Sequence, residues 1–228
     1  MSKIVNGSSL QPLSGGRPRQ LVLLLHGYGS NGADLISLAP HWQPALPDAL
    51  FLAPNAPQRC SVGTGFQWWP LSALSPVALA AGAAAASPAL DVFIDRKLSQ
   101  CGLSEENLAI VGFSQGTMMA LHVGLRRERR VAGIVGYSGM LIGAADLSHR
   151  AFTKPPVLLI HGSDDPIVPV ASLHTAKHEL ERLGIPVTTH ISNGLGHSID
   201  PVGLRLGGEF IAEALASKGA SPIPRQPE

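Results

Sequence analysis

Residues 108–116 read LAIVGFSQG, and this stretch decides the fold. An unbroken apolar run such as residues 108–113 is typical of a strand buried on both faces of a parallel sheet. Residues 112–116, GFSQG, overlap the end of this run and match the pattern G-x-S-x-G, in which a strand turns abruptly into a helix and exposes a serine. Gly112 and Gly116 remove Cβ clashes from that crowded turn. The stretch therefore predicts a strand, an elbow with Ser114 as candidate nucleophile, and a helix. The alternative is a tight turn in which Ser114 is merely small.

The same alternation of strand and helix extends over most of the chain. Short apolar runs predict five further strands: Gln20–Leu25, Ala49–Ala53, Val131–Tyr137, Val157–Ile160 and Val187–Ile191. Five stretches predict helices: Asp34–Leu38 and onward to Trp42, Ser87–Gln100, Gln115–Arg129, Val170–Leu183 and Val202–Ala216. The alternation indicates an α/β fold, with a mostly parallel central sheet and helices on both faces.

Proline, alanine and serine residues predict where helices begin and where the folded domain ends. Ser87 followed by Pro88 is a favourable helix start, with serine as the cap and proline in the first turn. The Ala-rich segment Ala78–Ala86 favours a helix of its own. The chain ends in SPIPRQPE, whose three prolines cannot continue a helix. We therefore expect a single domain over residues 1–217 and a disordered tail over residues 218–228.

A serine hydroxyl is a poor nucleophile until a base accepts its proton, so Ser114 needs partners. In hydrolases built on this elbow, an acid and then a histidine follow the serine along the chain. The loop after the strand that ends at Ile160 offers two acids, Asp164 and Asp165, and the spacing alone does not separate them. His197 lies in a Gly-rich loop after the last predicted strand and completes the order. A loop histidine that caps the final helix is the alternative.

The remaining histidines do not predict a metal site. His174 and His178 share a helix face, but the sequence HTAKH lacks the glutamate of H-E-x-x-H. His161 ends a strand and is expected to pack near the loop that follows. The Gly-rich residues 26–32, HGYGSNG, lack the spacing G-x-G-x-x-G, which disfavours a dinucleotide. We therefore expect no metal and no cofactor.

Acyl transfer also requires hydrogen-bond donors for the oxyanion of the tetrahedral intermediate. One is the backbone N–H of the residue after the nucleophile, Gln115. The other comes from the loop after the first predicted strand, where glycines on both sides of Tyr28 let the main chain approach a substrate. Loss of one such donor costs about 3 kcal/mol in the transition state. A Gly-rich turn without a role is the alternative.

The composition disfavours several classes of partner. The 228 residues include 17 basic and 16 acidic ones, a net charge of +1, so no global field attracts nucleic acid or an anionic membrane. The longest apolar run near the start, Leu21–Leu25, is far shorter than a membrane span, and the first sixteen residues do not form a signal peptide. Cys60 and Cys101 are too few for a disulfide framework, although the sequence leaves their pairing open. We expect a cytoplasmic protein without an integral membrane segment.

Six blocks of the sequence together resemble the phospholipase/carboxylesterase family, which includes the acyl-protein thioesterases. They cover roughly residues 20–215 and are Leu25–Gly29, Pro54–Pro57, Gln67–Trp69, Gly112–Gly116, His161–Pro169 and Gly196–Ser198. The resemblance implies a single-domain α/β-hydrolase with little or no lid. It also implies hydrolysis of short to medium acyl esters, with bacterial carboxylesterases looking closer than the eukaryotic thioesterases. An acyl thioesterase or a lysophospholipase with the same residues is the alternative, as is a non-catalytic binding protein of this fold.

The family motif implies roles for particular residues. Its serine, acid and histidine fall on Ser114, Asp165 and His197, and its oxyanion donors fall on the backbones of Tyr28 and Gln115. Tyr28 stands where the thioesterase branch commonly has leucine, and Pro70 stands where the family has an aspartate. Both departures concern acyl specificity rather than the chemistry.

The segment after Cys60 is rich in large apolar side chains. We expect Trp68, Trp69 and Leu71, together with Ile167 after the acid, to wall a pocket for the acyl group. A packed surface loop is the alternative, because aromatic residues are core residues first. The expected partner is a small acyl ester; exposed apolar residues leave room for a homodimer, but the sequence locates no interface.

Overall fold

The computed structural model of the chain describes residues 4–61, 63–147 and 152–216. The strands in these ranges are β1 Val5–Leu10, β2 Gln20–Leu25, β3 Ala49–Asn55, β4 Gln58–Arg59, β5 Phe66–Gln67, β6 Leu108–Phe113, β7 Gly133–Tyr137, β8 Val157–Gly162 and β9 Val187–Ser192. The helices are α1 Gly32–Leu35, α2 Ala39–Trp42, α3 Pro76–Cys101, α4 Gln115–Gly124, α5 Ala144–Leu147, α6 Ala171–Arg182 and α7 Pro201–Ala216, with 3₁₀ turns at Ile36–Leu38 and Glu105–Asn107. The predicted tail, residues 218–228, lies outside the described residues.

The central sheet confirms the predicted α/β class. Within the described ranges it has seven strands in the order β1-β3-β2-β6-β7-β8-β9, and only β1 runs antiparallel to its neighbour. The other five pairs are parallel. The carboxyl ends of β2, β6, β8 and β9 therefore meet at one edge of the sheet, where ligands bind in open α/β folds.

The strands are continuously apolar because both faces of the sheet are covered. In β2, Leu21, Leu23 and Leu25 belong to the core under α3, α4 and α6. The alternate residues Val22 and Leu24 belong to the core under α2 and α7. Each fully buried leucine stabilises the fold by about 1.5–3 kcal/mol. The alternation of faces along one apolar run explains why these strands were predictable from the sequence.

The predicted start of a helix at Ser87 is wrong. Helix α3 begins twelve residues earlier with the same signature: the Ser75 side chain accepts from the Ala78 N–H at 3.2 Å, and Pro76 occupies the first turn. Pro88 lies inside the helix and cannot donate to the carbonyl of Ala84. The Ser87 hydroxyl donates to that carbonyl at 3.2 Å instead. The Ala84 carbonyl thus keeps a donor although the proline has no N–H to offer.

Helix α3 is also long and apolar enough to pass for a membrane span, with a mean hydropathy of 1.7 over 18 residues. The sequence analysis did not single it out. Its buried residues recur at helical spacing, including Leu79, Ala83, Leu90 and Ile94, and they belong to the core that covers the sheet. This packing accounts for the apolar composition of one face of the helix.

Other elements also differ from the predictions. The predicted helix Gln115–Arg129 ends at Gly124, so its arginines lie beyond the helix and not in its last turn. The guanidinium of Arg127 instead bonds Asp91, Asp95 and Glu105. Strand β1 was not predicted, since its residues VNGSSL carry no apolar run; it pairs with β3 at the sheet edge. Cys60 and Cys101 are both free thiols.

Candidate active site

The elbow after β6 has the strained geometry that its sequence predicts. Ser114 has φ 55° and ψ −116°, in a region that residues with a side chain rarely adopt. A Cβ on Gly116 would lie 1.8 Å from the carbonyl oxygen of Leu25, and a Cβ on Gly112 would lie 2.3 Å from that of Gly116. Only glycine fits at these two positions. The turn therefore holds Ser114 at the first turn of α4, at the carboxyl edge of the sheet.

Asp165 and His197 meet at the same edge. The Nδ1 of His197 lies 2.7 Å from the Oδ2 of Asp165. The other oxygen, Oδ1, accepts the backbone N–H groups of Ile167 and Val168, each at 2.9 Å. The structure thereby separates the two acids, because Asp164 is exposed and bonds the Ser163 hydroxyl instead.

The environment of Asp165 favours its ionised form. Burial alone would raise the pKa of Asp165, but the hydrogen bond from His197 and those from the amides of Val168 and Ile167 outweigh it. The net effect is a pKa below the ordinary value of an aspartate. Since a carboxylate is an acceptor only, the His197 Nδ1 must carry the proton, and its Nε2 is left free to accept one.

A second histidine, His161, contacts the same carboxylate. Its Nε2 lies 2.8 Å from the carbonyl oxygen of Val168 and 3.3 Å from the Oδ2 of Asp165. The sequence predicted His161 near this loop but did not predict its contact with the acid. The available signal was its position four residues before Asp165 at the end of a strand.

The imidazole of His197 lies beside the elbow. Its ring centroid is 4.9 Å from that of Phe113, the residue before Ser114. Among the described residues, the Ser114 hydroxyl forms no hydrogen bond. Hydrogen bonds of this kind are often long in a free enzyme and tighten when a substrate binds.

The loop after β2 packs against Ser114. A Cβ on Gly27 would lie 3.2 Å from the Cβ of Ser114, so the backbone of this loop is adjacent to the serine. His26 fixes the peptide that follows Gly27. Its Nε2 accepts the Ala56 N–H at 2.9 Å, so the proton is on Nδ1, which donates to the Gly27 carbonyl at 2.7 Å. In a trans peptide the N–H points away from the carbonyl, so this bond sets the direction of the Tyr28 N–H.

Both predicted oxyanion donors are free to bind a ligand. In the described part of the chain, no hydrogen bond engages the backbone N–H of Tyr28 or that of Gln115. Gln115 is the first residue of α4, whose positive helix terminus favours a developing negative charge. Burial lowers the pKa of His26, which keeps its imidazole neutral as the bonding pattern requires.

A cavity of about 760 Å³ opens beside Ser114. Leu71 and Ile167 lie on its wall, as expected. Its other walls are apolar side chains of α3 and the segment just before it, of α4 and of the loop after β7: Leu74, Val77, Leu79, Ala80, Met118, Met140, Leu141 and Ile142. A lining of this size and character suits an apolar acyl group. The loop after β7 and the start of α3 were not recognised in the sequence, because their apolar residues carry no motif.

The expectation that Trp68 and Trp69 wall this cavity is corrected. Both are buried behind the site and absent from the cavity wall, because the Gln115 side chain holds their backbone there. Its Oε1 accepts the Trp68 N–H at 3.0 Å, and its Nε2 donates to the Trp69 carbonyl at 2.9 Å. Trp68 in turn donates from Nε1 to the His26 carbonyl at 2.9 Å. Trp68 thereby supports the loop after β2 from behind.

A mostly parallel sheet covered on both faces, with a strained serine elbow at its carboxyl edge, defines an α/β-hydrolase. Comparison with known proteins gives the family. The family pattern described as Phospholipase/Carboxylesterase matches residues 13–215, and the chain belongs to that family.

Individual relatives agree with this assignment. The chain is 30% identical to the esterase YpfH of Escherichia coli, with 80% of this chain and 77% of that protein aligned. It is also 30% identical to acyl-protein thioesterase 1 of Schizosaccharomyces pombe, over 78% of this chain and 83% of that protein. The solved structure of esterase PE8 has a TM-score of 0.88 and 43% identity, and it covers 93% of this chain and 99% of its own. The chain is accordingly an ester hydrolase of the carboxylesterase type.

Proposed function

We propose that the chain hydrolyses neutral carboxylic esters of short to medium acyl chains through Ser114, His197 and Asp165. The observation that carries the proposal is the 2.7 Å bond from His197 to Asp165 beside an apolar cavity that Ser114 lines. The near-zero net charge agrees with an uncharged substrate, since no field steers an ionic one.

Acylation follows from the protonation states of the site. The ester carbonyl enters with its acyl chain in the cavity, and the Ser114 Oγ attacks the carbonyl carbon. The free Nε2 of His197 takes the hydroxyl proton, and Asp165 stabilises the imidazolium that results. The N–H groups of Tyr28 and Gln115 receive the negative charge on the former carbonyl oxygen. His197 then returns the proton to the leaving alcohol oxygen as the ester C–O bond breaks.

Deacylation repeats these steps with water as the nucleophile. His197 takes a proton from the water that attacks the acyl-enzyme carbonyl. The tetrahedral intermediate collapses, the carboxylic acid leaves, and the proton returns to Ser114. The site consequently needs no metal and no cofactor for this reaction.

The experiment that tests the proposal is replacement of Ser114 by alanine, assayed with p-nitrophenyl butyrate. Loss of nearly all turnover, with the circular dichroism spectrum of the wild type retained, supports a serine nucleophile. Undiminished turnover of the folded variant contradicts it. The same assay separates an esterase from a non-catalytic binding protein of this fold.

A thioesterase activity is the second candidate, and the match to acyl-protein thioesterase 1 of Schizosaccharomyces pombe favours it. Thioesters, lysophospholipids and oxyesters share the chemistry and differ in the groups that the cavity must hold. A series of p-nitrophenyl esters from two to twelve acyl carbons, run beside thioesters of matched acyl length and a lysophospholipid, ranks the three. We also propose a cytoplasmic location, on the composition of the sequence alone, which cell fractionation tests.

A further inference from the structure

We propose that His161 is a positioning residue of this active site, which holds the loop that carries Asp165 through a hydrogen bond from its Nε2–H to the Val168 carbonyl and a direct contact with the carboxylate. The proposal rests on the proposed function, because it assigns Asp165 as the acid that orients His197. It concerns a side chain that never meets the substrate and acts only through the acid and the loop beside it.

The tautomer of His161 follows from the two oxygens that its Nε2 faces. Its Nε2 faces two oxygens, the Val168 carbonyl at 2.8 Å and the Asp165 Oδ2 at 3.3 Å. A backbone carbonyl and a carboxylate only accept hydrogen bonds, so this nitrogen must carry a proton. His161 therefore donates its Nε2–H to the Val168 carbonyl, and the same nitrogen lies in contact with the acid.

Both oxygens of the Asp165 carboxylate are enclosed. Oδ1 of Asp165 is held by the amides of Ile167 and Val168, and Oδ2 lies between His197 and His161. The side chains of Asp165 and His161 are 0% and 1% exposed, so water does not replace a lost donor. Three hydrogen bonds and the contact with His161 therefore hold the carboxylate in its orientation toward His197.

Val168 links the acid to the cavity. Val168 donates its N–H to Asp165, accepts the Nε2–H of His161 through its carbonyl, and lies on the cavity wall. His161 thus clamps the peptide segment that holds the acid. Removal of its donor frees both the Val168 carbonyl and one side of the Asp165 carboxylate.

The test compares two replacements of His161. Leucine keeps most of the apolar volume and removes the donor, whereas glutamine offers an amide N–H in place of Nε2. We expect His161→Leu to lower kcat for p-nitrophenyl butyrate by about 10- to 100-fold, since small misplacements of a catalytic group have effects of this size. KM should stay within about twofold, and His161→Gln should retain at least about a third of the wild-type kcat. His174→Leu, on the exposed face of α6, is the matched control and should leave both constants unchanged.

Two outcomes overturn the proposal: an unchanged kcat in folded His161→Leu, or equal losses in the leucine and glutamine variants. If the leucine variant does not fold, ¹⁵N NMR of the imidazoles in the wild type decides, with His161 assigned by its absence from the His161→Gln spectrum. A proton on Nε2 supports the proposal, and a proton on Nδ1 alone overturns it. Labelling of wild-type Ser114 by a fluorophosphonate tests the proposed function separately. If Ser114 is not labelled, both the proposed function and the role of His161 are wrong.

Discussion

Replacing Asp165 by asparagine should nearly abolish turnover while the fold is retained. The amide keeps the shape of the carboxylate but has one acceptor and one NH₂ group. With its oxygen toward the amides of Ile167 and Val168, the NH₂ faces His197 and the Nε2–H of His161. The opposite orientation sets the NH₂ against the two backbone N–H groups. Either orientation places donors against donors.

The change in the tautomer of His197 sets the size of the expected loss in kcat. Facing an NH₂ group, its Nδ1 must accept, so the proton moves to Nε2 and the ring no longer receives the proton of Ser114. The equivalent change in a Ser-His-Asp protease lowers kcat by about 10⁴-fold, and we expect a loss of about 10³- to 10⁴-fold here. That loss corresponds to roughly 4–5.5 kcal/mol in the activation free energy.

The assay is kcat and KM with p-nitrophenyl butyrate at neutral pH. Asp164→Asn is the matched control, because Asp164 is the adjacent acid, is exposed, and bonds only the Ser163 hydroxyl through its side chain. Its kcat should stay within about twofold of the wild type. A loss below tenfold in folded Asp165→Asn, or an equal loss in Asp164→Asn, would refute the assignment of the acid.

Three further predictions concern the cavity, an ion-pair cluster and pH. Ala80→Phe places a ring on the cavity wall. In a chain-length series it should lower kcat/KM for decanoate esters at least tenfold and leave kcat/KM for acetate esters unchanged. Ala84→Phe, at an exposed position of the same helix, is the control. Arg127→Met leaves three carboxylates without their cation. The Arg127 side chain is 9% exposed, but two of the carboxylates are well exposed, so the free energy of unfolding in urea should fall by about 2 kcal/mol. The control Arg129→Met, at an exposed position, should lose less than about 0.5 kcal/mol. Burial lowers the pKa of His26, so the unfolded chain binds the proton first and stability falls as the pH drops below about 6.5. His26→Gln does not titrate there and should lose less Tm between pH 7 and pH 5; an equal loss would contradict this account.

Strand positions were predictable because a doubly covered sheet requires continuous apolar runs. The predicted bounds of β2 and β6 agree with the structure at both ends. Strand β1 escaped prediction because an edge strand pairs through its backbone and needs no apolar pattern. The start of α3 was misjudged because Ser87-Pro88 and Ser75-Pro76 carry the same local signal; in the structure Ser75 caps the Ala78 N–H, whereas Ser87 donates to the Ala84 carbonyl inside the helix.

For the site, motifs located the candidate catalytic residues, and packing decided which side chains surround them. Ser114, Asp165 and His197 follow from an elbow pattern, chain order and family resemblance. Spacing alone left Asp164 and Asp165 open; the family resemblance favours Asp165, and the loop geometry brings that same residue to His197. Tryptophan was expected on the cavity wall on its apolar character alone, but hydrogen bonds from a side chain 46 residues away hold the Trp69 backbone behind it.

The most direct test of the central claim is the mass of the protein after reaction with a fluorophosphonate. The account predicts one covalent adduct per chain, located at Ser114 by peptide mapping and formed in parallel with the loss of esterase activity. It also predicts no adduct on Ser114→Ala. An adduct on another residue that accompanies inactivation, or turnover that persists in fully labelled protein, would contradict the assignment of Ser114 as the nucleophile.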